Sequence, residues 1–425
     1  MNNGLNLATR NGYRTSALIK APYRLVKRKL RVVKGKLRGL LPSSRPIRVS
    51  TTRLLRGGET MASAAQYALI TGQPLLPSTP MEKGPHVAFL REYAIEGDKL
   101  LSPGRFEQTA YYRNAMESMR YFGHYFPYAK EPHQIVLVAQ RFIKQLLNQE
   151  IVPELPGHTK KGEPINVRPI RHSDCFEVID GNHRVAAAIV RGEKCIEVLP
   201  QQEAVLTPMQ DLLLKVLWQN GRVELYQPIG LPEVRTWPLV RRCADRFALM
   251  RDLLQSRQIS GGSYVDLGSS YGWFVAQMRA LGFDAYGVER DPIAIKVGEL
   301  AYDNSKDFLI CRDLVQFLRE STRKFDVVSC FSVAHHFALG RASITAEEFI
   351  GMIDRVTEKV LFFDTGQNHE EWFKEDLQEW DADFIEKWLY KNTTFKRVIR
   401  FGTDSDAVGP FEKNYGRTLF ACVRE

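Results

Sequence analysis

The most informative pattern of apolar and polar positions lies between residues 261 and 292. The apolar run Tyr264–Leu267 predicts a short strand with one charged side chain, Asp266, and the glycines after it predict a loop. A helical pattern then predicts a helix from near Trp273 to Gly282, and the run Ala285–Val288 predicts a second strand. The segment therefore predicts one strand–helix–strand unit, with apolar helical positions at Phe274, Val275, Met278 and Leu281.

Further apolar runs follow this unit toward the carboxyl terminus. Residues Ile310–Leu314 end a third apolar segment, Phe325–Ser332 is apolar almost throughout, and Lys359–Asp364 gives a fifth strand. A continuous apolar run is typical of a strand that is buried on both faces. Two closing strands, Phe395–Phe401 and Arg417–Val423, are joined by a long loop. The pattern predicts an α/β domain over residues 237–425.

A second compact pattern lies upstream, over residues 176–198. It predicts a strand at Phe176–Asp180, a tight turn, an alanine-rich helix that ends at Gly192, and a further strand. We expect it to belong to a domain over residues 61–204, followed by a connecting segment over residues 205–236. The other helices predicted here are Met61–Thr71, Phe106–Phe122, Glu131–Gln149 and, in the connecting segment, Leu206–Val216.

Composition permits two buried cores, because the 425 residues are 44% hydrophobic. Six cysteines without a pairing rhythm favour a reducing compartment. No apolar run approaches the roughly 18 residues that a membrane span requires. The formal charge of +10 is concentrated in residues 1–60, which hold fifteen Lys or Arg and one acid, Glu59. The basic character therefore belongs to an amino-terminal arm.

The arm carries an apolar stripe within a basic surface. The stripe predicts a basic amphipathic helix that binds an anionic membrane surface, and we expect a cytoplasmic protein peripheral to the inner face of the membrane. An organelle transit peptide, a nucleic-acid arm and a disordered tail remain alternatives. Missing stacking aromatics count against single-stranded nucleic acid. The stripe consists of Val26, Leu30, Val33, Leu37 and Leu40.

The loop Gly268–Gly272 reads GSSYG, which is neither the GxGxxG of a dinucleotide fold nor a phosphate-binding P-loop. It resembles motif I, D-x-G-x-x-x-G, of the class I S-adenosylmethionine methyltransferases. The resemblance implies a Rossmann-like seven-stranded sheet closed by an antiparallel hairpin. It also implies that Glu289 binds the ribose hydroxyls, that Asp313 binds the adenine edge and that Leu314 packs on the adenine face. The remaining cofactor-binding residues that it implies are Asp266, Gly268, Ser269, Gly272 and Phe331.

Methyl transfer to an oxygen requires removal of a proton, and two histidines follow the fourth strand of this domain. His335 and His336 are therefore the candidate catalytic bases, because the pKa of histidine lies near neutrality. Helix capping or hydrogen bonding to substrate is the structural alternative for each. The Asn/Asp-Pro-Pro-aromatic run of enzymes that methylate nucleic-acid bases is missing from this position. No metal-ligand spacing appears in the sequence, and we predict no metal site.

The upstream turn Asp180-Gly181-Asn182-His183-Arg184 opens a predicted helix. Unpaired backbone N–H groups at a helix N-terminus attract phosphate, and arginine adds a bidentate charge. The segment resembles the ParB/sulfiredoxin-like superfamily, and its kinase-like branch most closely. The resemblance implies an α+β domain that binds ATP with Mg²⁺, with Asp180 and His183 near the reacting phosphate. A degenerate domain that serves only as a scaffold is the alternative.

Together these patterns predict a methyltransferase fused to a nucleotide-binding domain. We expect the acceptor to be a glycan, a glycan phosphate or another small polar metabolite in cell-surface polysaccharide synthesis. This expectation rests on the methyltransferase resemblance, the missing base-methylation run and the membrane-binding arm. The segment Trp237–Leu254 is similar to the entry helix of methyltransferases that modify glycans and small molecules, and a plain packing helix is the alternative. The alternative is a nucleic-acid-associated ParB-like protein that methylates nucleic acid. The oligomeric state does not follow from the sequence.

Overall fold

The computed structural model describes residues 45–56, 79–126, 129–146, 164–302, 304, 307–405, 414 and 416–424. The helix predicted at Met61–Thr71 and the apolar stripe of the arm lie outside these residues. Both therefore stay predictions.

The amino-terminal domain is a five-stranded mixed sheet with helices packed against it. Its elements are β1 (Ile47–Ser50), β2 (Leu54–Leu55), α1 (Pro85–Glu96), α2 (Ala110–Phe122), α3 (Ile135–Leu146), β3 (Ile165–Pro169), β4 (Phe176–Asp180), α4 (Asn182–Val190) and β5 (Cys195–Pro200). The strand order is β1-β5-β3-β4-β2. The pairs β1/β5 and β3/β4 are antiparallel, whereas β3/β5 and β2/β4 are parallel.

The arm is shorter than the predicted 1–60, because β1 and β2 are strands of this sheet. Val49 pairs with Ile196 in β5, and Leu54 pairs with Phe176 in β4. Val49 and Leu54 are both buried. Alternation over so few residues is too short a signal to separate from the basic sequence around it.

Aromatic side chains form the core between the helices of this domain. Phe89 on α1 stacks on Tyr111 of α2 with ring centroids 4.7 Å apart, and Phe142 of α3 lies 6.1 Å from Phe89. The small residues Ala186 and Ala187 of α4 belong to the same buried cluster. The alanine-rich sequence of α4 therefore allows α1 and α3 to pack closely against it.

The connecting segment contains one helix, α5 (Pro208–Lys215). Thr207 and Gln210 form a capping box at its start. The Gln210 Nε2 donates to the carbonyl oxygens of Arg171 (2.7 Å), in the amino-terminal domain, and Glu233 (3.0 Å). On its other side the segment packs against Val297 of the following domain. It therefore contacts both domains through buried groups.

The carboxy-terminal domain contains the remaining helices and strands. They are α6 (Ala244–Ser256), β6 (Ser263–Leu267), α7 (Trp273–Ala280), β7 (Asp284–Glu289), α8 (Pro292–Tyr302), β8 (Leu309–Cys311), α9 (Leu314–Glu320), β9 (Phe325–Cys330), α10 (His335–Ala338), α11 (Ala346–Val356), β10 (Thr357–Phe363), α12 (Ala382–Asn392), β11 (Arg397–Thr403) and β12 (Thr418–Val423).

These seven strands form one sheet in the order β11-β12-β10-β9-β6-β7-β8. Only β12 is antiparallel to its neighbours, β10 and β11. Both faces are buried: Val327 packs with Met278 on one face, and the next residue, Val328, packs with Phe349 on the other. The predicted seven-stranded α/β sheet with its closing hairpin is confirmed.

Two local features differ from the sequence pattern. The fourth strand ends at Cys330 rather than Ser332, because Ser332 has a left-handed φ of 60°. The entry helix starts only at Ala244, after Cys243 with a φ of 64°. Neither residue type favours this conformation, so neither end is visible in the sequence. In the described part of the chain, no helix is both long and apolar enough to cross a bilayer.

Candidate functional site

The glycine loop lies at the carboxyl end of β6, between the ends of β7 and β9. Gly268 has a φ of 81°, and a Cβ atom there would lie 2.6 Å from Val333 Cγ2. The backbone N–H groups of Gly268 and Ser269 both donate to the Val288 carbonyl (2.9 and 3.1 Å). The loop is thereby fixed to β7 on one side and to the segment after β9 on the other.

Gly272 ends the loop and begins α7. Its φ is 79°, and a Cβ atom would lie 2.7 Å from Leu309 Cδ2. Ser269 is fully buried. Ser270, the next residue, has a φ of 51° that non-glycine residues rarely adopt. Such conformations persist where the surrounding structure determines them, often at binding sites.

Glu289 ends β7 beside this loop and is held by three backbone N–H groups. Its Oε2 accepts from Ser270 (3.0 Å), and its Oε1 accepts from Arg290 (2.8 Å) and Asp291 (3.0 Å). A carboxylate has about four acceptor positions, so Oε2 keeps one for a hydroxyl group. The side chain is therefore fixed in position at the strand end where a ribose would bind.

Asp266 on β6 is buried beneath the loop. Its Oδ1 accepts a hydrogen bond from Ser329 Oγ (2.6 Å), and Ser329 Oγ is also bonded to Tyr264. Burial raises the pKa of Asp266 to about 7, although Ser329 and Arg246 oppose this shift. The carboxyl group thus titrates near neutral pH.

The other candidate cofactor residues occupy different environments. Asp313 is exposed and caps α9, with its Oδ1 accepting from Val315 N (2.9 Å) and Gln316 N (3.1 Å). Leu314 beside it is partly buried. Phe331 is buried, with its ring centroid 5.2 Å from that of Phe274. Asp313 therefore has a structural role as a helix cap, and Phe331 packs in the core.

His335 follows β9 and is buried. Its Nδ1 accepts the backbone N–H of Gly366 (3.3 Å), so the neutral ring carries its proton on Nε2. Burial lowers the pKa of His335 well below its ordinary value, and Arg417 lowers it further. In this tautomer His335 can donate a hydrogen bond through Nε2 but has no free nitrogen that could accept a proton.

His336 is the more exposed of the two histidines. Its ring centroid lies 4.3 Å from that of His335. Burial lowers the pKa of His336, and the charges of Arg341 and Arg290 lower it further. The ring therefore remains neutral to a lower pH than a free histidine, as a proton acceptor must.

A buried ionic network lies beside these histidines, and the sequence did not predict it. Asp364, at the end of β10, accepts from Arg246 Nη1 and Arg417 Nη1, both at 3.2 Å, and from the Ser332 backbone N–H at 2.7 Å. Glu370 binds Arg417 through both carboxylate oxygens (2.7 and 3.0 Å). The network fixes the left-handed Ser332 and so the start of the loop that carries both histidines.

The connecting segment also contributes to the site. Gln227 is buried, donates through Nε2 to the Ser269 carbonyl (3.3 Å) and accepts through Oε1 from the Trp273 N–H (3.3 Å). Gln219 donates to the hydroxyl of Tyr271. No local sequence motif marks either glutamine, because their partners lie more than 40 residues away in the chain.

In the amino-terminal domain the turn before α4 has the predicted backbone form. Gly181 has a φ of 101°, and a Cβ atom there would lie 3.0 Å from Arg184 Nη2. Arg184 forms an ion pair with the exposed Asp180 (3.2 Å). Asn182 is the first residue of α4. The turn thus places Arg184 at a helix N-terminus, where an anion would be attracted.

His183 lies on the other side of this turn, which corrects its expected place beside a phosphate. Its Nε2 is hydrogen-bonded to Tyr111 Oη (2.8 Å), and its ring centroid lies 4.3 Å from that of Phe142 and 4.6 Å from that of His86. Burial lowers the pKa of His183 to about 3. The neutral ring therefore faces the aromatic core of the domain.

Comparison with known proteins assigns the carboxy-terminal half. Residues 241–346 match the family model described as a methyltransferase domain. The carboxy-terminal half thus contains a class I S-adenosylmethionine methyltransferase domain. The comparison does not extend to the ParB-like assignment or to a site for ATP. No curated protein matches the sequence.

Solved structures show distant similarity. The bifunctional kinase-methyltransferase WbdD aligns with 18% identity and a TM-score of 0.40, over 51% of this chain and 46% of that one. Magnesium protoporphyrin IX methyltransferase from Synechocystis PCC 6803, solved with bound cofactor, aligns with 17% identity and a TM-score of 0.31. That alignment covers 42% of this chain and 77% of the other. The chain thus spans about half the length of WbdD.

The residues around the glycine loop fit S-adenosylmethionine. Glu289 offers an acceptor for ribose hydroxyls, and the loop backbone before α7 approaches the same edge of the sheet. Gly268 leaves no room for a side chain between the loop and Val333. Among the residues that the structure describes, no group of three His, Cys, Asp or Glu side chains is placed to bind a metal ion.

Proposed function

We propose that the protein methylates an oxygen atom of a glycan, a glycan phosphate or another small polar metabolite, with His336 as the base. The observation that carries this proposal is the position of a neutral, accessible histidine in α10, the helix that follows β9, at the edge of the sheet that holds the glycine loop. S-adenosylmethionine supplies an electrophilic methyl group when bound. The residues of this chain must then bind the acceptor and remove its proton.

The binding roles follow from the side chains at each strand end. Glu289 holds the ribose through its remaining acceptor position, with Gly268, Ser269 and Gly272 forming the loop beside it. Asp266 supports the loop from below and is close to half ionised at neutral pH. Asp313 and Leu314 lie at the end of β8, where the resemblance implies contact with the adenine. Phe331 supports the site from the core.

The two histidines have different roles in this proposal. His336 has no hydrogen bond from its ring within the described residues, so a ring nitrogen is available to accept the hydroxyl proton of the acceptor. His335 donates through Nε2 and orients either the acceptor or His336. This division of roles follows from the Gly366–His335 hydrogen bond, which occupies the Nδ1 lone pair.

Mass spectrometry of metabolites and surface glycans from cells with and without the protein tests the acceptor class. A polar metabolite or glycan that is lighter by one methylene unit in cells without the protein supports the proposal. Purified protein with S-adenosylmethionine should restore that mass in vitro. Methylation of nucleic acid with unchanged metabolites and glycans would contradict it.

We also propose that the turn at Asp180–Arg184 binds the phosphates of ATP with Mg²⁺, in a ParB/sulfiredoxin-like domain. The helix N-terminus and the Arg184 guanidinium support this role. His183 would not contact the phosphates, because its ring is neutral and is hydrogen-bonded to Tyr111. Exposed Asp180 remains the residue that would face the reacting group.

Attachment of the basic arm to an anionic membrane surface is part of the same proposal. Its support is the sequence of residues 1–44, which holds eleven basic residues and one apolar stripe. Vesicle flotation with and without anionic lipid, using the full chain and a form that lacks residues 1–44, tests it. Equal binding by both forms would contradict the proposal.

A further inference from the structure

Two arginines from different loops lie near His336. Arg290 follows Glu289 at the end of β7, and its backbone N–H donates to Glu289 Oε1 (2.8 Å). Arg341 follows the turn after α10, and its backbone N–H donates to the His336 carbonyl oxygen (2.9 Å). Because β6 lies between β7 and β9, these two loops leave the sheet on opposite sides of the glycine loop.

The side chains of these two arginines lack counter-ions. Both residues are exposed, and neither forms an ion pair or a side-chain hydrogen bond within the described part of the chain. Deeper in the same site, Arg246 and Arg417 both bind Asp364. The site therefore neutralises its buried arginines and leaves two accessible ones available to a ligand.

The positive charges of both arginines affect the pKa of His336. After burial, Arg341 and Arg290 are the next largest causes that lower the pKa of His336, followed by Arg417. All three charges that act on the ring are positive. A positive site of this kind concentrates anions and raises the rate at which an anionic substrate is captured.

We propose that Arg290 and Arg341 form an anion subsite that holds a phosphate or carboxylate group of the methyl acceptor beside His336. The inference rests on the proposed methyl transfer and narrows the acceptor to an anionic molecule. A guanidinium group matches both anions, because its parallel N–H donors can bind two oxygens at once. Held there, the anion would place a neighbouring hydroxyl of the same molecule at His336.

Inorganic phosphate and acetate serve as probes, since they carry the two anionic groups without the rest of an acceptor. The imidazole resonances of the full-length protein, with His336 assigned through the His336→Asn variant, would be followed by NMR as each anion is added. Sodium chloride at matched ionic strength is the control for screening. We expect a saturable change at His336 with phosphate or acetate and none with chloride. The anion that binds more tightly identifies the group.

The variants Arg290→Gln and Arg341→Gln should each weaken anion binding about tenfold or more, the effect of losing a hydrogen bond to a charged group. Arg397→Gln is the matched control, because Arg397 is exposed at the start of β11, on the opposite edge of the sheet. No saturable change in the wild type, or one that persists in the double variant, would overturn the subsite. Calorimetry with S-adenosylmethionine distinguishes the two proposals. If the protein binds S-adenosylmethionine but phosphate and acetate do not change the His336 resonance, only the anion subsite is wrong. If the protein does not bind S-adenosylmethionine, the proposed methyl transfer is wrong as well.

Discussion

Gln227 and Ser269 are 42 residues apart in the chain, yet the side-chain amide of Gln227 donates to the Ser269 carbonyl (3.3 Å). The same side chain accepts the N–H of Trp273, at the start of α7. One amide group therefore joins both ends of the glycine loop. The connecting segment, which precedes the matched residues 241–346, therefore helps to hold the glycine loop in place.

We expect Gln227→Ala to weaken S-adenosylmethionine binding about tenfold, because each lost hydrogen bond contributes about 0.5–1.5 kcal/mol to holding the loop. Gln227→Glu separates the two bonds, since a carboxylate accepts from Trp273 but cannot donate to Ser269. Its affinity should be no higher than that of the alanine variant, because the buried carboxylate is also repelled by the Ser269 carbonyl oxygen. Calorimetry measures both, and an unchanged affinity in folded Gln227→Ala would show that the loop holds its shape unaided.

A second prediction concerns Glu289, which three backbone N–H groups hold at the end of β7. Glu289→Ala should weaken S-adenosylmethionine binding by about 1.5–3 kcal/mol, the range for hydrogen bonds to a charged group. Glu320→Gln, on the exposed end of α9, is the control. Thermal unfolding must show that the variant remains folded. Equal affinities of the wild type and Glu289→Ala would remove the ribose assignment.

The sequence predicted those parts of the fold that depend on neighbouring residues. Apolar runs identified β6, β7, β9 and β10, and turn glycines located the loop at residues 268–272. The sequence did not predict contacts between distant segments. It placed Asp364 at the end of a strand but did not predict its ion pairs with Arg246 and Arg417. The direction of His183 was also missed, because its environment is built by α1, α2 and α3, far away in the sequence.

Asp266 gives the domain a pH-dependent stability. Its pKa is raised to about 7 in the folded protein from an ordinary value of 3.8. The folded state therefore binds the proton more tightly than the unfolded state, and stability should fall as pH rises through this range. The slope for one group is at most about 1.4 kcal/mol per pH unit. Asp266→Asn does not titrate and can still accept from Ser329.

The urea midpoint of the cofactor-free Asp266→Asn variant should therefore rise relative to that of the wild type between pH 5 and pH 7 and level off above pH 7. Asp307→Asn, at an exposed position, is the matched substitution. If the difference in urea midpoint between Asp266→Asn and the wild type does not change with pH, Asp266 is already ionised throughout this pH range.

Steady-state kinetics should distinguish the roles of the two histidines once the methyl acceptor has been identified. His336→Asn should lower kcat about 100-fold, the smaller end of the range for loss of a general base, with little effect on cofactor affinity. His335→Asn should lower kcat by a smaller factor, because the asparagine oxygen can accept the Gly366 N–H in place of Nδ1 but the orienting Nε2 donor is lost. In the wild type the acid limb of the rate profile should lie below the ordinary pKa of histidine, since the pKa of His336 is lowered. Full activity of both single variants and of the double variant would leave both histidines structural.

The last prediction distinguishes Arg184 from His183 in the amino-terminal domain. Arg184 lies at the start of α4, so Arg184→Gln in the full chain should abolish measurable binding of ATP in the presence of Mg²⁺. His183→Asn should leave that binding intact but lower the melting temperature, because the ring packs on Phe142 and is hydrogen-bonded to Tyr111. Tyr111→Phe should cost about 1 kcal/mol of stability for the same reason. If His183→Asn loses ATP binding and Arg184→Gln keeps it, His183 rather than Arg184 contacts the phosphates. If the wild type binds neither ATP nor CTP, the turn does not bind a nucleotide. The domain would then serve as a scaffold.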